Sequence, residues 1–211
     1  MASNIRIRLA TEKDHKFMLD LCDRTIATGM LKKDDLEDYG VGFYVAKLGN
    51  RRVGFGSVEI YEPMGFEDHI VGLIGYVCVE PDIQRKGIGS LLVEFGTESL
   101  MDTGADVIRV CAWEDHNGCH LAVPLERNGF IAEERHPLRW VKDPDTGKRC
   151  LTCGFPCVCT AVYYNLWLNK EEQVRAEVTK DLVEKPNGRV IPSETHQDED
   201  LDHSGHYRHT G

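Results

Sequence analysis

Gln84-Arg85-Lys86-Gly87-Ile88-Gly89-Ser90 sets two glycines and a basic pair between a strand-like run and a helix-like run. Upstream, Val77-Cys78-Val79-Glu80-Pro81 reads as the end of a buried strand. Downstream, Leu91, Leu92 and Phe95 follow Ile88 at helical spacing. A loop in this place aims free backbone N–H groups at one point and adds the positive end of a helix dipole, which suits a pyrophosphate. At Gly87 and Gly89 a Cβ would hinder close approach of phosphate to the backbone. The plainer reading is a glycine-containing helix start that binds nothing.

A second group is Cys150-Leu151-Thr152-Cys153-Gly154 with Cys157-Val158-Cys159, half of the eight cysteines in the chain. Cys-x-x-Cys-Gly resembles a zinc knuckle, in which the glycine tightens the turn and backbone N–H groups point at thiolate sulfurs. Four soft ligands suit Zn²⁺. An iron–sulfur cluster, a redox pair of vicinal thiols and plain buried small residues are the other readings, and the Cys-x-Cys spacing of the second pair is less usual for zinc. His196, His203, His206 and His209 lie in a polar stretch that reads as a tail, with weak metal binding as the alternative.

The elements that must position these groups follow from periodicity. Ile5, Ile7 and Leu9 alternate with polar residues as a strand. Thr11 and Asp14 look like a helix N-cap and its reciprocal acid, ahead of the apolar stripe Phe17, Met18, Leu21 and Cys22. A short helix is predicted over Leu31–Tyr39. Strands are predicted at Phe43–Leu48 and Val53–Tyr61, joined by Gly49-Asn50, and at Ile70–Glu80 after a loop. A helix over 86–103, a strand over 106–113, a second helix ending at Arg127 and a strand from Phe130 follow. Further strands are expected at His136–Lys142 and Thr160–Leu168, with a turn at Asp143–Gly147. Lys170–Glu184 reads as a charged helix, and the rest as a polar, poorly ordered tail. Strands and crossing helices together make an α/β mixed sheet flanked by helices. One domain spans 1–169, including the cysteine hairpin at 143–160, and 170–211 is an appendage.

Gln-x-x-Gly-x-Gly after a strand, then a helix, a strand and a second helix ending in Arg127-Asn128-Gly129-Phe130, resembles the GNAT acetyltransferase superfamily over about half the chain. The resemblance implies a sheet splayed between its two central parallel strands, here those ending at Val79 and Trp113, with acetyl-coenzyme A in the opening. It implies pantetheine contacts from the backbone of Tyr76, Val77, Cys78 and Val79, and pyrophosphate contacts from Gln84, Arg85, Lys86, Gly87, Ile88, Gly89 and Ser90. It further implies direct attack of an amine of a small molecule or peptide on the thioester, with backbone N–H groups polarising the carbonyl. In that family a cysteine hairpin between the last two strands would lie near the acceptor.

Two positions depart from the family pattern. The tyrosine that commonly protonates the coenzyme A sulfur is Leu125 here, preceded by Pro124. Asn117 is displaced by one residue from the family's asparagine. For the general base, Glu59, Glu80 and Glu114 are the candidates, with Asp115, His116 and His120 behind them; each is otherwise a solvated or packing side chain. Loss of the tyrosine keeps open a binding or regulatory module that has lost catalysis.

The formal net charge of −10 argues against a general nucleic-acid binder. No apolar run is long enough for a membrane helix, and Met1–Arg6 lacks the apolar stretch of a secretory signal. A cytoplasmic protein with reduced thiols is expected, and a homodimer stays open.

Overall fold

The computed structural model describes residues 4–62, 65–66, 68–138, 150–154 and 157–168. Its strands are β1 (Ile5–Leu9), β2 (Val41–Leu48), β3 (Arg51–Tyr61), β4 (Val71–Val79), β5 (Val107–Asp115), β6 (Gly118–Cys119), β7 (Ile131–Pro137) and β8 (Thr160–Trp167). Its helices are α1 (Glu12–Thr25), α2 (Ile88–Asp102) and α3 (Ala122–Arg127). The sheet runs β1-β2-β3-β4-β5-β8-β7, with β6 folded back on the end of β5. Neighbours are antiparallel except β4 and β5, which are parallel and joined by the crossover helix α2.

α1 starts at the expected capping box of Thr11 and Asp14. The Asp14 carboxylate accepts from the Thr11 N–H (2.9 Å), and its two oxygens also take both terminal nitrogens of Arg8 and the Nε of Arg52. This fully buried acid therefore ties α1 to β1 and β3. Burial alone would raise its pKa; the N–H donors of Arg8, Arg52 and Thr11 outweigh that and hold the carboxyl well below the usual carboxylate range.

Each face of the sheet has its own core. On one side Met18, Leu21 and Cys22 of α1 pack on Phe43, Val45, Phe55, Tyr76 and Cys78. On the other, Val93 and Leu100 of α2 and Leu125 of α3 pack on Ile74, Ile108, Val110, Ala112, Val162 and Tyr164. α2 comes close to the sheet because a glycine stands at 96: a Cβ there would meet the Tyr44 Oη at 2.6 Å. That hydroxyl donates to the Leu92 carbonyl (2.9 Å), which joins β2 to α2.

Several sequence expectations are corrected. Leu31–Tyr39 is not a helix of any length: only Asp34–Glu37 forms a single 3₁₀ turn. The residues that anchor the segment, Leu31 and Leu36, are five apart, which leaves no helical stripe to bury. The second helix of the family pattern is six residues long, and Pro124 lies in its first turn, where no intrahelical donor is required. β7 ends at Pro137, short of the expected Lys142. The turn at 143–147, the helix at 170–184 and the tail histidines fall outside the described residues.

Candidate active site

β4 and β5 pair only at Val71–Val107, Gly72–Ile108 and Leu73–Arg109. Beyond Leu73 their ladder stops, although both strands continue, to Val79 and Asp115. A wedge opens between them, with its apex at Leu73–Arg109.

β4 is shaped for this wedge. Its pairing to β3 slips by one residue between Gly56 and Val58, so Gly75 and Tyr76 together oppose Ser57. The Ser57 hydroxyl accepts the Tyr76 N–H (3.0 Å) and occupies space that a Gly75 side chain would need, 2.9 Å from where its Cβ would stand. The Glu80 N–H donates to the Val53 carbonyl (2.9 Å), also toward β3. Successive strand N–H groups face opposite edges, so those of Val77 and Val79 face the wedge. The side chains of Tyr76 and Cys78 are buried on the α1 side, so these residues serve the wedge through the main chain.

The glycine-containing loop closes the same end. The Gln84 side-chain amide donates to the Val79 carbonyl (3.1 Å), so this glutamine braces the loop against β4. Arg85 (φ 60°) and Gly87 (φ 87°) both adopt left-handed backbone. Gly87 caps α2, which has no side-chain cap, and the first helical donor in use is Leu91 N–H to the Gly87 carbonyl (3.1 Å). The N–H groups of Ile88, Gly89 and Ser90 precede that bond and have no intrahelical acceptor. Arg85 and Lys86 are exposed beside them, whereas the Ile88 side chain is core. An open wedge, an uncapped helix start and a basic pair fit a phosphate-bearing cofactor whose amide arm lies along β4.

The three candidate bases are not brought together. Glu80 accepts both terminal nitrogens of Arg24 (2.9 and 3.1 Å) and is engaged with α1. Glu114 is paired with Arg135 of β7. Glu59 pairs in register with Leu73, the strand position at the wedge apex. By alternation from Phe55, its side chain lies on the α1 face and is half-buried. Asp115 is held below its ordinary range: burial would raise it, but the Asn117 N–H (2.7 Å), His120 Nε2 (3.2 Å) and the Thr152 hydroxyl (3.0 Å) outweigh that. Asn117 sits in the exposed turn between β5 and β6, ahead of α3, with its amide beside His116 Nε2 (3.1 Å). Leu125 is wholly buried in the core, so α3 presents no acid from this position.

The four clustered cysteines do converge. Their sulfurs all lie within 4.8 Å of one another, with Cys150–Cys159 at 3.9 Å and Cys153–Cys159 at 3.6 Å. N–H groups of Thr152 (3.4 Å) and Cys153 (3.3 Å) donate to the Cys150 sulfur, and that of Val158 (3.4 Å) to Cys153. Cys150, Cys157 and Cys159 are buried, with Trp113 of β5 packed on them. For Cys153, burial raises the thiol but the Val158 N–H and neighbouring thiols bring it below its ordinary value. Burial pushes Cys157 well up and Cys159 to about 11.

The profile of the Acetyltransferase (GNAT) family matches residues 9–130, more than half of the chain. The chain belongs to the GNAT acetyltransferase family. Among curated proteins none matches it. Solved structures give the same fold: an acetyltransferase of Bacillus subtilis in complex with CoA has a TM-score of 0.59 at 22% identity, over 78% of this chain and 99% of that one. A GNAT family acetyltransferase from Elizabethkingia anophelis with acetyl-CoA bound gives 0.57 at 17%, over 79% and 99%. The NatC complex bound to Gag peptide and CoA gives 0.57 at 16%, also over 79% and 99%. The family match ends at Phe130, so β7, the cysteine hairpin and β8 lie beyond it.

Neither the slip at Ser57 nor the Thr152–Asp115 bond is legible in the residues alone. Gly54, Gly56 and Gly75 near one another in two adjacent strands were the available hint of irregular pairing. No sequence signal joined Thr152 to Asp115.

Proposed function

We propose that this GNAT protein is an acetyl-coenzyme A-dependent N-acetyltransferase acting on a primary amine of a small molecule or peptide. The observation that carries the reading is the wedge beyond Leu73–Arg109, edged by the Val77 and Val79 N–H groups and ending at the uncapped start of α2. Acetyl-coenzyme A supplies the activated thioester. Residues 85–90 would hold its phosphates, through the N–H groups of Ile88, Gly89 and Ser90 and the charges of Arg85 and Lys86. Val77 and Val79 would hold the amide arm, and Gln84 keeps the loop docked on the strand. Asn117, in its exposed turn, is the remaining candidate contact.

On the α2/α3 face buried Ile108, Val110 and Ala112 line β5, whereas on the α1 face Cys111 and Trp113 of the same strand are only partly buried, which favours approach of an amine from the α1 face. Glu59, on that face at the wedge apex, is the group best placed to take the proton from the incoming ammonium, directly or through water. Glu80, just past the end of β4, and Glu114, near the end of β5, lie farther from the apex and are weaker choices. With Leu125 in the core, the departing thiolate takes its proton from water. A peptide acceptor is supported by the likeness to a complex bound to a peptide and CoA. The four cysteines are compatible with a metal, and Zn²⁺ is the ion we assign to them. None of the eight cysteines is joined in a disulfide, and among the described residues no helix is long and apolar enough to cross a membrane; we place the protein in a reducing cytoplasm.

A second reading, a cofactor-binding module without turnover, is favoured by the buried leucine at 125. Thiol release from acetyl-coenzyme A against a panel of alkylamines, aromatic amines and peptide N-termini separates the two. Turnover with any class supports the enzyme, binding without turnover across the panel supports the module, and absence of cofactor binding refutes both.

A further inference from the structure

The cysteine hairpin touches two elements that flank the α1 face of the wedge. Cys150 forms an isolated antiparallel bridge with Ala27, in the segment that follows α1. That segment also reaches β4, because the Tyr76 hydroxyl donates to the Met30 carbonyl (3.3 Å). On the other side the Thr152 hydroxyl donates to Asp115 (3.0 Å) at the end of β5, and Trp113 packs on the cysteines. β4 and β5 have no ladder to each other beyond Leu73–Arg109, so the 150–154 turn contacts an element on each side of the open wedge.

The sulfur positions favour a single tetrahedral ion. With Zn–S bonds of about 2.3 Å, the edge of an S₄ tetrahedron is about 3.8 Å; Cys153–Cys159 and Cys150–Cys159 stand at 3.6 and 3.9 Å, and all four sulfurs lie within 4.8 Å of one another. A polynuclear iron–sulfur cluster puts several metal atoms between its cysteines and needs them farther apart. The three N–H donors aimed at Cys150 and Cys153 are those expected of a knuckle around metal-bound thiolates.

We propose that Zn²⁺ held by Cys150, Cys153, Cys157 and Cys159 clamps the 26–31 segment to the end of β5, so that metal occupancy sets the shape of the acceptor side and leaves the cofactor loop alone. The acceptor part of this inference rests on the reading that the amine approaches from the α1 face. The zinc acts structurally: it binds no substrate and takes no part in bond making.

The test uses the full chain purified without chelators. Elemental analysis should find one Zn²⁺ per chain; iron in its place, or no metal with all four thiols titrating freely, overturns the proposal. Hydrogen exchange is then compared before and after chelation. Exchange in peptides over 26–31 and 113–119 should accelerate about ten-fold or more on metal loss, while peptides over 84–102 and calorimetric acetyl-coenzyme A affinity stay within about two-fold. Unchanged exchange at 26–31 and 113–119 overturns the clamp. Equal acceleration at 84–102 with loss of cofactor binding overturns its local character. Because Cys153→Ser can fail to fold, Thr152→Val is the second variant: it should keep its zinc yet show faster exchange at 113–119, and unchanged exchange there counts against the link through Asp115. A protein that responds to zinc as stated but acetylates no amine upholds the clamp and overturns the proposed function alone.

Discussion

Gly89→Asp separates binding from folding at the phosphate loop. A Cβ at Gly89 would meet only the Pro124 Cγ, at 3.8 Å, an ordinary contact, and the residue's backbone is not left-handed. An acidic side chain in the first turn also complements the helix dipole, worth roughly 0.3–1 kcal/mol to the free protein. The variant should therefore melt at or slightly above the parent temperature. Bound phosphate changes the sign of the effect. Two like charges about 6 Å apart repel by roughly 3 kcal/mol at an effective dielectric of about 20, and exposure of the loop reduces this to about 1–3 kcal/mol. Acetyl-coenzyme A affinity by calorimetry should fall by about ten- to hundred-fold. Gly89→Ala should lose far less, because it adds bulk without charge. Gly87→Ala differs again: at φ 87° with nothing within 4 Å, it meets backbone strain and no steric clash, about 1–2 kcal/mol or roughly 2–8 °C in Tm. A folded Gly89→Asp protein with parental affinity would show that the start of α2 is not the phosphate site.

Glu59→Gln should leave acetyl-coenzyme A affinity unchanged and lower kcat by about 10²–10⁴ with whichever amine proves active; a kcat within about three-fold of parental assigns the proton transfer to another group. Asp14→Asn should cost about 2–3 kcal/mol, less than a fully buried pair because Arg8 and Arg52 are partly solvated. The pH dependence has a definite sign: the folded pKa of Asp14 is depressed, so its stabilisation is present above the unfolded value of about 3.9 and is lost as pH falls below it toward the folded value. Urea midpoints from pH 7 to pH 2 should fall more steeply below about pH 4 for the parent than for the variant, and parallel curves refute the linkage. Gly96→Ala should push Tyr44 from its place on α2 and lose about 1–3 kcal/mol, read as a lower urea midpoint with cofactor stoichiometry kept; a parental midpoint shows that Tyr44 moves aside freely.

Where an element has strong local periodicity, the chain announces it. Ile5, Ile7 and Leu9, the Thr11–Asp14 box and the Val77–Val79 run before Gly87 were legible because each depends on neighbours only a few residues away. Asp14 shows where such reading stops. Its capping role is local and visible, while its pairing with Arg52 spans 38 residues and no periodicity signals it. The wedge is similar: the Gln84–Ser90 loop can be read directly, but its bracing on Val79 and the slip opposite Ser57 depend on how strands align. The Leu31–Tyr39 segment failed for the converse reason, since helix-compatible residues without an apolar stripe settle into one turn.

Position 125 bears most directly on chemistry. A side chain aimed at the cofactor sulfur from α3 would have to leave the core at least in part, yet Leu125 is wholly buried among Val93, Ile108 and Val110. α3 is only six residues long; the carbonyl of its N-cap, Leu121, accepts the Leu125 N–H, and the Leu125 carbonyl accepts those of Asn128 and Phe130. The helix is thus fixed about the leucine as a packing anchor, and a larger polar side chain there would have to displace core. Position 125 consequently delivers no proton to a departing thiolate. A coenzyme A thiol with a pKa near that of an ordinary thiol, about 8.5, leaves readily enough near neutral pH for water to serve. Deprotonating the acceptor is the harder step, because a primary alkylammonium, like a lysine side chain at about 10.4, is almost wholly charged at that pH. In the proposed reaction that demand falls on the α1 face, where Glu59 of β3 pairs with Leu73 of the wedge apex and the 150–154 turn touches both Ala27 and Asp115.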